Sequence, residues 1–82
     1  MVYIDIENLP RPVLEQAVKL SDPLQKVYLI LFQLGKPSTP KEIANLLGHA
    51  RAYVHMRLME LEGRGIVKRS REGRNIKFEV IT

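Results

Sequence analysis

The segment Thr39-Pro40-Lys41-Glu42-Ile43-Ala44-Asn45-Leu46-Leu47-Gly48 narrows the fold more than any other part of the chain. Its first four residues form a helix start. The Thr39 side chain can accept from the amide of Glu42, Glu42 can reach back to the amide of Thr39, and Pro40 stands where a missing N–H costs nothing. Ile43, Ala44, Leu46 and Leu47 supply an apolar stripe that ends at Gly48. A second helix is expected from about Ala50 to Glu62, with Val54, Leu58 and Leu61 at spacings of four and three. Two short helices can cross closely when a small residue lies at the contact and the turn tolerates positive φ. Ala44, four positions before Gly48, and Gly48 itself meet those two needs.

The flanking sequence completes one small domain. Val2–Ile6 reads as a short extended segment, broken by Asn8-Leu9-Pro10-Arg11-Pro12. Val13–Leu20 is expected to be a short amphipathic helix, and Ser21-Asp22-Pro23 a stop followed by a new start. The helix Leu24–Leu34 carries Leu24, Val27, Tyr28, Leu31 and Leu34 along one stripe, with Leu29 and Phe32 on another side. A helix that is apolar on more than one face needs more than one partner, so either the N-terminal helix or a second subunit must cover it. After Gly63-Arg64-Gly65, residues 65–81 read as a β-hairpin. Ile66-Val67-Lys68-Arg69-Ser70 leads to a turn around Arg71-Glu72-Gly73-Arg74, after which Ile76, Phe78 and Val80 alternate with Lys77 and Glu79.

Composition removes several classes of function. With 82 residues there is room for one domain and one modest core, and little for an enzyme pocket. No apolar run approaches the roughly 18 residues of a membrane span, and no secretory signal is visible, so a cytoplasmic location is the expectation. The chain has no cysteine, which excludes thiol catalysis and cysteine-based metal sites. His49 and His55 are six positions apart and do not share a helical face, so no zinc site is expected. No nucleophile motif, acid–base pair or glycine-rich phosphate loop is present, and no enzyme, cofactor or small-molecule ligand is expected. Charge points elsewhere. Residues 1–40 hold four Lys/Arg and four Asp/Glu, whereas residues 41–82 hold nine and five, so the net +4 lies wholly in the second half. A one-sided basic surface is the footprint of a nucleic-acid binder.

The string from Thr39 to Gly48, followed by Val54, Leu58, Leu61, Glu62, Gly65-Ile66-Val67 and a hairpin with Gly73-Arg74, resembles the winged helix-turn-helix of prokaryotic and archaeal transcription regulators. The MarR-like and ArsR-like groups are nearest. The resemblance covers roughly residues 22–81. It implies an α+β, mainly α fold: a three-helix core with a β-hairpin wing, residues 40–62 forming the helix-turn-helix. Residues 1–21 would be an N-terminal extension and 22–82 the winged-helix domain. It further implies a second helix in the major groove and a wing along the backbone or in the minor groove. Two positions depart from the family pattern. Ala50 stands where a Ser or Thr often caps the recognition helix, and His49 where an apolar residue is common. The metal-sensing members' cysteines and clustered histidines are absent, so that property is not implied.

On this reading the partner is double-stranded DNA and the active form a homodimer reading a near-palindrome. Arg51 is the foremost candidate for a base contact, since a guanidinium can pair with guanine in bidentate fashion. Tyr53 and His55 are candidates for backbone or base edges, Met56 for a thymine methyl, and Arg57 for a phosphate clamp or a partner of Glu60. In the wing, Lys68, Arg69, Arg71, Arg74 and Lys77 are candidates for phosphate or minor-groove contact; edge-strand protection explains Lys68 and Lys77 as well, but explains the three arginines poorly. Lys41, with Ser38 and Thr39, lies at a helix N-terminus whose free amides favour phosphate. Two alternatives stand beside this reading: a winged-helix module for protein–protein contact, and an architectural DNA binder indifferent to sequence.

Overall fold

The computed structural model describes residues 4–82. Four helices precede a single hairpin: α1 (Arg11–Ala17), α2 (Asp22–Leu34), α3 (Pro40–Leu47), α4 (Arg51–Gly63), β1 (Val67–Glu72) and β2 (Asn75–Val80). This mainly helical arrangement is a winged helix. One contiguous core holds it together, built from Val13 and Ala17 of α1, six residues of α2 between Leu24 and Leu31, Ile43 and Ala44 of α3, Val54, Leu58 and Leu61 of α4, and Val67 and Phe78 of the strands.

The helix α2 is the hub, packing against α1, α3, α4 and β2. Its two apolar faces find their partners inside the chain. Val13 and Ala17 are buried in the same cluster as Leu29 and Ile30, and the Gln25 side chain donates to the Ala17 carbonyl at 2.9 Å. That bond is a second one to this carbonyl, which also accepts from the Leu20 amide at the end of α1. The apolar excess of α2 therefore requires no second subunit.

Some boundaries differ from the expected ones. α1 starts at Arg11, because Pro10 provides the extended entry and Pro12 falls within the first turn. It ends at Ala17, and Val18–Leu20 form a turn whose amides donate back to Leu14, Gln16 and Ala17. Of the expected extended segment Val2–Ile6, residues 1–3 lie outside the described residues, and Ile6 departs from it. Ile6–Asn8 is a 3-10 turn, with the amides of Asn8 and Leu9 donating to the carbonyls of Asp5 and Ile6 and the Asn8 side chain donating to the Asp5 carboxylate. Local side-chain bonding of this kind competes successfully with an extended backbone.

The hairpin pairs Val67 with Val80 through to Glu72 with Asn75, leaving a loop of only Gly73 and Arg74. Gly73 has φ 61°, and among the described residues none other than glycine has positive φ. Glycine first in a two-residue loop is the signature of a type II′ turn, whose twist matches that of the strands. The expected turn was wider; Arg71 and Glu72 belong to β1. At the root of the hairpin, Ser38 forms an antiparallel bridge with Phe78. The Ser38 amide donates to the Phe78 carbonyl at 2.9 Å, and the Phe78 amide donates back at 2.8 Å. The α2–α3 connection is thereby tied to the wing.

Candidate nucleic-acid interface

The helix pair forms as its local signals dictate. Thr39 Oγ1 accepts from the Glu42 amide at 3.2 Å, and Glu42 Oε1 accepts from the Thr39 amide at 3.2 Å, closing a full capping box. The backbone bond from Thr39 is the largest of several influences that hold the Glu42 carboxyl below the ordinary carboxylate range; Lys36 and Lys77 act in the same direction. Gly48 has φ 71° and its amide returns to the Ala44 carbonyl, so the left-handed position that ends α3 falls on the residue best able to take it. α4 then starts from Ala50, which provides no side-chain cap. Its first amides are left for another acceptor.

Around α4 the side chains separate into distinct faces. Val54, Leu58 and Leu61 enter the core. On one flank the Arg57 guanidinium lies 5.0 Å from the centre of the Tyr53 ring and pairs with Glu60, and the His49 ring is 5.2 Å from Tyr53. Arg57 is thus the partner of Glu60, and its Nε is buried with no hydrogen-bond acceptor. On the other flank, towards the wing, His55 is half-buried with its ring edge against Phe78 at 5.9 Å. Arg51, one turn earlier on that flank, is exposed, as are Ala52 and Met56 opposite the core.

The basic side chains of the wing are not equivalent. Lys68 pairs with Glu79 at 3.2 Å and Lys77 with Glu72 at 3.2 Å, both on the outer face of the hairpin. Arg69 reaches back to α4, 3.3 Å from Glu62, and donates to the Met59 sulfur at 3.7 Å. Arg71 and Arg74 make no ion pair with any described residue. Pairing commitments of this kind are invisible to a count of charges. Glu62 in particular lies seven residues from the strand position it meets, once the chain has turned back on itself at Gly65.

Two of the hydroxyl candidates are withdrawn from the surface contact expected of them. Ser38 is fully buried and its hydroxyl donates to the Lys36 carbonyl at 3.0 Å, because the bridge to Phe78 draws this residue beneath the wing. It is not placed to meet a phosphate. Thr39 is engaged in the capping box.

Three of the basic candidates, with His55, converge. An open groove of about 250 Å³ lies between the start of α3, the start of α4 and the wing tip; Lys41, Arg51 and Arg74 line it, together with Thr39, Pro40, His55, Asn75 and Ile76. No carboxylate lines it, and none of its three cations is paired with an acid among the described residues. Asn75 and Ile76 were not singled out by the sequence reading; their place directly after the wing tip is the signal that could have found them. Ile76 is exposed although it shares the inward face of β2 with buried Phe78, because the hairpin extends past the core. Among the described residues no group of three His, Asp or Glu side chains is placed to hold a metal ion, and no helix is long and apolar enough to cross a membrane.

No protein-family model matches the chain, and no match is found among curated proteins. Solved structures do match. The crystal structure of the ST1889 protein from the thermoacidophilic archaeon Sulfolobus tokodaii is similar over 88% of this chain and 72% of that one, at 21% identity and a TM-score of 0.71. NadR in complex with 4-hydroxyphenylacetate is similar over 88% of this chain and 52% of that one, at 25% identity and a TM-score of 0.66. The chain thus spans about half the length of NadR. Both likenesses agree with the winged-helix fold described above. NadR was solved with a small molecule bound.

Proposed function

We propose that this protein binds double-stranded DNA, with α4 in the major groove and the β1–β2 wing against the phosphate backbone, and that it regulates transcription as a homodimer of the MarR-like kind. The observation that carries the reading is the groove where Lys41, Arg51 and Arg74, distant in sequence, meet without an opposing carboxylate. Arg51 is the base-reading cation at the start of α4. Lys41 and the uncapped amides of α4 offer phosphate contacts. Arg71 and Arg74 contact the backbone or the minor groove beside it. His55 buttresses the wing, and the stacked Tyr53–Arg57 pair flanks the helix.

The homodimer rests on Leu14 of α1 and Val18 just past its end, exposed apolar residues four positions apart. Two copies would set their recognition helices about one DNA turn, roughly 34 Å, apart. An electrophoretic shift titration at low salt tests the DNA reading, with the triple variant Arg51→Ala, Arg71→Ala, Arg74→Ala beside the wild type. Binding that is strong in the wild type and collapses in the variant supports it. Wild-type protein that binds no duplex, or a variant that binds equally well, refutes it and leaves the protein-contact module as the better account. Sedimentation equilibrium of the wild type against Leu14→Glu tests the dimer.

A further inference from the structure

The exposed crest of α4 bears on which bases the helix could recognise, given that it enters a major groove. At 3.6 residues per turn, Val54, Leu58 and Leu61 point one way and Ala52 and Met56 point the opposite way. Both are exposed, Met56 by 52%. Neither can donate or accept a strong hydrogen bond. The neighbours that could do so lie to either side of the crest: His55 has its ring edge against Phe78, Arg57 is paired with Glu60, and the Tyr53 ring has His49 and Arg57 beside it. Arg51 is the one cation of α4 without a carboxylate partner among the described residues. Cations border this apolar crest on the wing side, where Arg51, Lys41 and Arg74 meet, which suits a polyanion and not an apolar protein partner.

From this arrangement we infer that α4 selects its DNA by the 5-methyl groups of thymine, through Met56 and Ala52, with Arg51 supplying a polar base contact beside them. The inference rests on the DNA-binding reading above. The chemistry is selective because the thymine methyl is the one apolar feature on the major-groove edge of the four bases. A thioether pressed on adenine N6, cytosine N4 or guanine O6 strips water from a polar group and offers at best a weak sulfur acceptor in exchange. The spacing fits as well. Four residues along a helix rise about 6 Å, close to two base steps of about 3.4 Å each. The two side chains can therefore meet methyls on nearby steps.

Uracil provides the test, since it removes the methyl and leaves charge and pairing unchanged. The probes are alternating dA–dT and dA–dU duplexes, with dG–dC and dG–5-methyl-dC as a second pair, measured by fluorescence anisotropy on the full chain. Each methyl lost should weaken wild-type binding about fourfold, the ratio equivalent to ~0.8 kcal/mol for one buried methylene. Adding the methyl to cytosine should strengthen binding in the same sense. Met56→Gln, a helix-compatible change at an exposed position, should bring the dA–dT to dA–dU ratio closer to one, and Met56→Leu should restore it. Equal wild-type affinity for dA–dT and dA–dU, or a ratio unchanged in Met56→Gln, overturns the inference while DNA binding stands. Absence of binding to all four duplexes instead overturns the DNA-binding reading, and this inference with it.

Discussion

Five basic side chains occupy the wing between residues 65 and 81, and on the proposed DNA-binding reading only two of them act as free charges. Lys68, Arg69 and Lys77 each have a carboxylate at 3.2–3.3 Å, whereas Arg71 and Arg74 have none among the described residues. A cation already beside an acid adds little net charge with which to displace counterions. Each phosphate neutralised contributes about 0.9 to the slope of log affinity against log salt, so the wing should contribute about 1.8 and not the roughly 4.5 of five free cations. Between 50 and 200 mM salt, those slopes correspond to losses of about 12-fold and about 500-fold. The perturbation is the pair Arg71→Ala and Arg74→Ala, compared with the pair Lys68→Ala and Lys77→Ala. Anisotropy titrations of a labelled duplex across that salt range read the slopes. The arginine pair should lower the slope by about 1.8, and the lysine pair should leave it nearly unchanged. Exposed ion pairs are worth only about 0.2–1 kcal/mol, so DNA could in principle break them. If the lysine pair flattened the slope as much as the arginine pair, the surface pairs would be shown to dissolve on binding, and the reasoning from them would fail.

Three further predictions concern the helix pair. Ala50→Ser gives α4 the cap it lacks and should raise stability by about 1 kcal/mol, whereas Thr39→Ala breaks the α3 capping box and should lower it by a similar ~1 kcal/mol, both read from urea unfolding midpoints. Gly48→Ala should cost roughly 1–2 kcal/mol from its left-handed backbone alone, since a Cβ there meets open space; a much larger loss would show a packing role for which no neighbouring atom provides. The Glu42 carboxyl is held below its unfolded value, chiefly by the Thr39 amide, so its stabilising contribution is present above the ordinary carboxylate range and is lost as pH falls through the lower folded value. Acid unfolding of Glu42→Gln should lack that part of the pH dependence; an identical profile for wild type and variant would contradict the assignment.

What the sequence made legible follows the range of the interactions. The capping box, the turn at Gly48 and the alternation of Ile76, Phe78 and Val80 are all set within a few residues, and each forms where local chemistry places it. The covering of α2 could not be decided in that way. Its apolar faces are evident, but α1 and a second subunit are equally suitable partners until the Gln25–Ala17 bond and the burial of Val13 are seen. The same limit applies at the site. The three cations of the groove can each be named from the sequence, whereas their convergence depends on the path of the chain. Ser38 reads as a polar surface residue because the residue that buries it, Phe78, is forty positions away. Arg69 reads as free because Glu62 belongs to another element.

The bridge between Ser38 and Phe78 makes the wing a cantilever. Its root is clamped by two backbone bonds to the α2–α3 connection and by the Ile81 amide on the Ile66 carbonyl, while past Phe78 the strands have only each other. Deflection must therefore concentrate between Arg71 and Ile76, the portion that carries the two unpaired arginines. Hydrogen exchange should divide the hairpin accordingly, with the amides of Ser38 and Phe78 exchanging only on global opening and those near Gly73 exchanging through local fraying. On the proposed DNA-binding reading, a beam fixed in this way tracks variation in groove width at its tip while the bearing of α4 on the rest of the molecule stays constant.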